Sequence, residues 1–173
     1  MIPPTRAAQK LADSIFESPL KNFSQNLADE VATQVLGRNL SSCLAPGMTL
    51  HLRGDLRAGK TTLVRAMLQG LGYEGKVKSP TYTLVESYVV SHLYLYHFDF
   101  YRFLDPEEWI EAGLRDYFNG LSVCLVEWPE KAGDLLPAPD LTIHLHIEAN
   151  GRRAEIAAHT ARGEASLQAA KIF

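Results

Sequence analysis

Between Asp29 and about Leu44 the apolar residues Val31, Val35, Leu36, Leu40 and Cys43 recur at helical spacing, and Asp29 stands where an N-cap belongs. Pro46-Gly47 ends that helix. Met48 to Arg53 alternates as a short strand and meets Gly54; helical periodicity resumes from Thr61 to Leu71 through Leu63, Met67 and Leu68. The order is strand, glycine loop, helix. Gly70 and Gly72 close the second helix, and Lys76 to Thr83 is an irregular basic stretch containing Ser79-Pro80-Thr81. Leu84 to Val90 and Leu93 to Asp99 then read as two strands with Ser91-His92 as their hairpin.

Asp105-Pro106-Glu107-Glu108 has the signature of a helix start and predicts a helix to about Phe118, with Gly113 as a break point. Val123 to Val126 is a continuous apolar run of the kind buried on both faces of a sheet. Leu141 to Glu148 and Arg153 to His159 form two more strands joined through Ala149-Asn150-Gly151, whose Asn-Gly is a hairpin signal. Gly163 to Phe173 predicts a short terminal helix. Residues 1–26 are weakly patterned and read as a partly helical N-terminal extension, with one domain over residues 27–173.

Composition places few further limits. A formal charge of −3 with 46% hydrophobic and 21% charged residues describes an ordinary soluble globular chain. That balance excludes a surface that is one continuous nucleic-acid footprint. The first residues lack an apolar signal region and no 18-residue apolar run occurs, so no membrane span is expected. Cys43 and Cys124 have no metal or redox spacing, and a reduced, cytoplasmic protein is the expectation.

The chemistry concentrates at Gly54-Asp55-Leu56-Arg57-Ala58-Gly59-Lys60-Thr61, which matches G-x-x-x-x-G-K-[ST] between a strand and a helix. Glycines let the backbone curl around an anion so that successive N–H groups and the positive helix end face phosphate. Lys60 adds a charge toward the β and γ oxygens, Thr61 offers a hydroxyl to Mg2+, and Thr62 supplies a further hydroxyl. Such a loop needs an acidic partner at the end of a neighbouring buried strand, and Glu127 directly follows Val123 to Val126. Asp99 ends another strand; holding a metal-bound water, orienting an attacking water and capping the next turn all suit it. His97 shares its face, but a lone strand histidine is more often packed or hydrogen-bonded than catalytic. His144 and His146 share a strand face as two zinc ligands do; without a third ligand at matching spacing they read as a solvent-facing pair. The strand tyrosines read mainly as core and cross-strand pairs.

Several separated motifs then carry a family resemblance. Gly54 to Thr62, Val77 to Glu86, Tyr96-His97-Phe98-Asp99-x-Tyr101-Arg102 and Cys124-Leu125-Val126-Glu127-Trp128-Pro129-Glu130 together resemble the TsaE (YjeE) family of small P-loop ATPases in bacterial tRNA modification. The resemblance runs from about Asp29 to His159. It implies an α/β, P-loop NTPase-like three-layer sandwich with a mostly parallel central sheet and antiparallel hairpin additions. By that resemblance Asp55, Leu56, Arg57, Ala58, Gly59, Lys60, Thr61 and Thr62 cradle ATP, and Thr61 and Glu127 hold Mg2+. Lys60, Asp99 and Glu127 carry catalysis, and Ser79, Pro80 and Thr81 form a switch that senses the γ-phosphate. Glu30 and Thr33 approach the nucleotide base, Trp128 lies near the active site, and either Arg152 or Arg153 reaches the nucleotide.

The implied activity is Mg2+-dependent hydrolysis of ATP in support of TsaB and TsaD, which threonylcarbamoylate the adenosine beside the anticodon of ANN-decoding tRNAs. Contacts to tRNA are expected mainly through those partners. A small-molecule P-loop kinase and a nucleotide-dependent scaffold without turnover are the alternatives. One departure from the family pattern stands out: Arg57 occupies a loop position where glycine is usual, at a cost of roughly 1 kcal/mol if φ is positive there.

Overall fold

The computed structural model describes residues 19–172. One seven-stranded sheet runs in the order β1-β7-β6-β2-β5-β4-β3. Its strands are β1 (Lys21–Leu27), β2 (Thr49–Arg53), β3 (Val85–Val90), β4 (Leu93–Asp99), β5 (Val123–Glu127), β6 (Leu141–Glu148) and β7 (Gly151–Ala158). The three central pairings, β4·β5, β5·β2 and β2·β6, are parallel. The flanking pairings, β3·β4, β6·β7 and β1·β7, are antiparallel. A mostly parallel centre with hairpin additions is therefore the observed sheet.

Each central strand sorts its residues by parity. Leu50, Leu52, Leu95, Val123, Leu125, Leu141, Ile143 and Leu145 enter a core beneath the helices α1 (Glu30–Leu40), α2 (Lys60–Gly70) and α4 (Ala161–Ala169). Asp29 caps α1 through its carboxylate, which accepts from the Ala32 N–H at 2.8 Å. The two helices approach closely at Gly37, where a Cβ would lie 2.6 Å from Ala66 Cβ and 2.8 Å from the Leu63 carbonyl oxygen. Only glycine admits that crossing without displacement.

The opposite parity, Phe98, Cys124 and Val126, builds a second core with Phe100, Phe103, Trp109, Leu114 and Leu136. Short pieces cover it: α3 (Glu108–Glu111) and single turns at Leu114–Tyr117, Pro129–Lys131 and Gly133–Leu135. The helix expected from Asp105 to Phe118 is split at Gly113, whose φ is +68°. Its start lies later than an Asp105 cap and a Pro106 first turn implied: Glu107 is the N-cap and makes no side-chain capping bond. Asp105 Oδ1 accepts from the Glu107 N–H and Glu108 Oε1 accepts from the N–H groups of Leu104 and Asp105, so the acidic side chains close the preceding turn instead of capping the helix.

The N-terminal expectation needs correction for residues 21–26. They are not an extension but most of edge strand β1, paired along its length with β7 from Lys21↔Ala158 to Leu27↔Arg152. Polar Asn22, Ser24, Gln25 and Asn26 hide that strand from an apolar pattern, because an edge strand is satisfied by its ladder rather than by burial. Any structure expected of residues 1–18 lies outside the described residues.

Candidate functional site

Parallel pairing of β2, β4 and β5 brings three strand ends to one edge. Leu52 and Asp99 both register with Glu127, and Gly54 follows one residue beyond Arg53. His97, Asp99 and Glu127 share the parity of the core beneath α2, so their side chains face the start of that helix. The cleft formed there is about 350 Å³. Ligand sites in open α/β sheets lie at such carboxyl ends of strands.

The loop between β2 and α2 holds backbone conformations that explain its glycines. Gly59 precedes the helix at φ +107° and Gly54 sits at φ +138°, where a Cβ would come to 2.5 Å from the Leu145 carbonyl oxygen. Arg57 is left-handed at φ +66°. Ala58 is fully buried and anchors the loop to the core, whereas Asp55, Leu56 and Arg57 are exposed.

Lys60 is buried, and its ammonium donates to the carbonyls of Gly54 at 2.5 Å and Asp55 at 2.9 Å. The indole of Trp128 covers it, 4.2 Å from ammonium to ring centroid. Burial pushes the Lys60 pKa down, while Glu127, Asp99, Glu130 and Asp55 oppose that shift. A desolvated cation held by neutral carbonyls is ready to exchange them for an anion.

Glu127 Oε1 accepts the Thr61 hydroxyl at 2.7 Å and lies 2.8 Å from His97 Nε2. Both His97 and Glu127 are buried. Asp99 Oδ2 accepts from the hydroxyls of Thr81 at 2.8 Å and Ser79 at 3.1 Å, and its Oδ1 accepts from the Tyr101 N–H at 2.9 Å. Asp99 therefore caps the turn after β4 and also ties the Ser79-Pro80-Thr81 segment to the sheet edge. Pro80 is buried behind the two hydroxyls.

Glu30 and Thr33, from the first turn of α1, line the far side of the cleft, and Thr62 continues its wall from α2. The arginine pair is resolved by strand alternation. Arg152 faces the loop, donating to the Arg57 carbonyl at 3.2 Å, and its Nε is buried without a partner. Arg153 turns away from the cleft and pairs with Glu148 and Glu155, so the expectation that admitted either residue narrows to Arg152. Two residues at the site carry no site role in the sequence reading: Tyr101, which lines the cleft with its ring 5.1 Å from that of Trp128, and His97, set aside as packed or hydrogen-bonded and found bonded to Glu127 behind the cleft. The i, i+2 relation to Asp99 puts His97 on the right face, but its bond to Glu127 depends on the β4·β5 register.

The donor set can be read chemically. Hydroxyl and carboxylate oxygens from Thr61, Ser79, Thr81, Asp99 and Glu127 are hard ligands of the kind that suit Mg2+. An unpartnered guanidinium nitrogen, a buried ammonium and an open helix start face the same space and suit a phosphate chain.

Fold and site together define an α/β protein with a G-x-x-x-x-G-K-T strand–loop–helix at the centre of its sheet. The family profile described as "Threonylcarbamoyl adenosine biosynthesis protein TsaE" matches residues 27–155, and the chain belongs to that family. It is 42% identical over 155 residues to the tRNA threonylcarbamoyladenosine biosynthesis protein TsaE of Haemophilus influenzae, covering 87% of this chain and 98% of that one. The corresponding protein of Bacillus subtilis is 38% identical over 124 residues, 72% of this chain and 77% of that one. Among solved structures, the crystal structure of Bacillus YdiB superposes with a TM-score of 0.75 at 31% identity, covering 88% of this chain and 95% of that one.

Proposed function

We propose that this chain hydrolyses ATP to ADP and phosphate with Mg2+ in support of tRNA threonylcarbamoylation, acting with TsaB and TsaD and not as the transferase. The observation that carries this reading is the convergence of Lys60, Thr61, Asp99 and Glu127 on one cleft, with Glu127 bonded directly to the loop threonine. Membership of the TsaE family supports the pathway, and the named relatives are tRNA threonylcarbamoyladenosine biosynthesis proteins.

On this reading the loop amides and Lys60 bind the β and γ phosphates, with Lys60 leaving the Gly54 and Asp55 carbonyls to do so. Arg152 gives its free Nε to the nucleotide, and Glu30 and Thr33 flank the base. Thr61 and Glu127 hold the metal, which when bound supplies charge neutralisation for phosphoryl transfer. Asp99 and Glu127 are the two groups able to orient water, and Asp99 couples that task to the segment 79–81 through its two hydroxyl contacts. A segment secured by two side-chain bonds can respond to the γ-phosphate as a switch.

Hydrolysis is expected to be slow in the isolated chain and faster in the partner complex, since a docked surface fixes such a segment. The net charge of −3 fits tRNA contacts made chiefly by the partners. The test is reconstituted modification of tRNA with TsaB and TsaD, comparing wild type with Glu127→Ala. Loss of modified adenosine with retained ATP binding supports hydrolysis as the function. Full modification by the variant overturns it and favours a scaffold that only binds nucleotide.

A further inference from the structure

Away from the cleft, a compact, partly exposed group of metal-ligating side chains stands on the face of β6 and β7 opposite α1 and α2. Leu141, Ile143 and Leu145 point into the core, so His144 and His146 project together from the other face. Their imidazole centroids are 3.9 Å apart at an interplanar angle of 29°. Register places Glu155 of β7 directly opposite His144, and His146 Nε2 lies 3.0 Å from Glu155 Oε2. One ligand atom from each of the three residues lies within 4.8 Å of the others.

We propose that His144, His146 and Glu155 form a binding site for a divalent transition-metal cation of the zinc class, distinct from the nucleotide cleft. Two imidazoles and one carboxylate are the ligand set of three-coordinate protein zinc sites that leave a fourth position open. Metal–nitrogen bonds of about 2.0–2.1 Å need ligand atoms somewhat closer together than these are. Side-chain rotation closes that gap, because H-x-H on one strand and a cross-strand partner fix all three Cβ atoms on one face.

The surroundings prepare the ligands. Burial first, then His146 and Arg53, push the His144 pKa down against the opposing charges of Glu155 and Glu130, a direction that favours the neutral ring a metal needs. Glu155 is held ionised, chiefly by its bond to Arg153 and then by His146. Arg153 engages Oε1 of Glu155 and leaves Oε2 toward the histidines, the orientation an outer group gives a ligating carboxylate. Arg53 and Arg153 also repel a cation, so the site binds more weakly than a closed four-ligand one.

Donor type separates this site from the cleft. Imidazoles favour Zn2+, Co2+, Ni2+ and Cu2+, whereas the all-oxygen cleft favours Mg2+. Binding here also links β6 to β7 within the folded sheet, and a ligand that binds only the folded state raises its stability.

The experiment is Zn2+ titration of the full nucleotide-free chain by calorimetry, with thermal unfolding in parallel and excess Mg2+ present throughout. One equivalent of Zn2+ is expected, with at least a ten-fold loss of affinity in His146→Gln and in Glu155→Gln, and a Zn2+-dependent rise in Tm seen in wild type alone. Co2+ in place of Zn2+ is expected to give tetrahedral visible bands in wild type that are lost in both variants. Unchanged affinity in both variants, displacement of Zn2+ by Mg2+, or no binding by the wild type each overturns the site. Because the readouts need neither ATP nor hydrolysis, failure here leaves the proposed ATPase role untouched, and the reverse also holds.

Discussion

His97 Nε2 lies 2.8 Å from Glu127 Oε1, the same oxygen that accepts the Thr61 hydroxyl, and both partners are buried. The histidine sets where the carboxylate stands, and the carboxylate in turn sets where the loop threonine stands. On the proposed role of Glu127 as a metal ligand, His97 is a group that orients a ligating carboxylate, and such groups are worth about 10–100-fold in metal affinity or activity. His97→Ala is therefore expected to raise the Mg2+ concentration needed for half-maximal phosphate release about ten-fold or more. Metal-free ATP binding stays within about two-fold of wild type, which fluorescence titration of nucleotide checks separately.

Arg57 carries the strain anticipated from its place in the loop, with φ at +66°. A left-handed non-glycine residue costs about 1–2 kcal/mol, partly offset by the greater unfolded-state entropy of glycine. Arg57→Gly is expected to stabilise the chain by up to about 1 kcal/mol, a rise in Tm of roughly 2–4 °C for a chain of this size. Calorimetry without nucleotide measures this directly.

Gly37 presents the opposite case. A methyl group there would meet Ala66 Cβ at 2.6 Å and the Leu63 carbonyl oxygen at 2.8 Å, both on a rigid helix. Gly37→Ala gains helix propensity of about 1 kcal/mol but forces α1 from α2, an overpacking cost of about 1–3 kcal/mol or more. Net destabilisation is expected, read as a lower denaturant midpoint. Since Thr33 sits one turn earlier on α1, nucleotide affinity is expected to fall with it.

Acid sensitivity follows from His51. It is buried on β2, and burial with the nearby Arg53 charge pushes its pKa down to about 3, against the raising effect of its bond to the Pro137 backbone. The unfolded chain titrates this ring near 6.5, so protons bind the unfolded state more strongly. Its contribution is intact above about pH 6.5 and is lost progressively as pH falls toward 3, at up to about 1.4 kcal/mol per pH unit. His144 and His159, both shifted down by burial, act in the same direction. His51→Gln is expected to flatten the decline in unfolding free energy between pH 6.5 and 5, whatever its stability at pH 8.

Much of this was legible in the residues themselves, for identifiable reasons. The strand–loop–helix around Gly54 to Thr61 and the buried run ending at Glu127 are local patterns, and parallel register carries them to one edge. Strand β1 escaped notice because its side chains are polar and its stability comes from backbone pairing with β7. The bonds from Asp99 to Ser79 and Thr81 reach back across the β3–β4 hairpin, about twenty residues, beyond what spacing encodes. Glu155 likewise joins His144 and His146 only through the β6·β7 register. Alternation on β7 separates Arg152 from Arg153, yet which of the two faces the loop depends on that same register.

The most direct test of the central claim is phosphate release from Mg·ATP by the purified chain, alone and with TsaB, TsaD and tRNA, for wild type and Glu127→Ala. Slow release by the chain alone, clear stimulation by the partners and loss of at least about a hundred-fold in the variant are expected. Release that is absent under every condition from a folded, ATP-binding chain, or that survives intact in Glu127→Ala, would contradict the account.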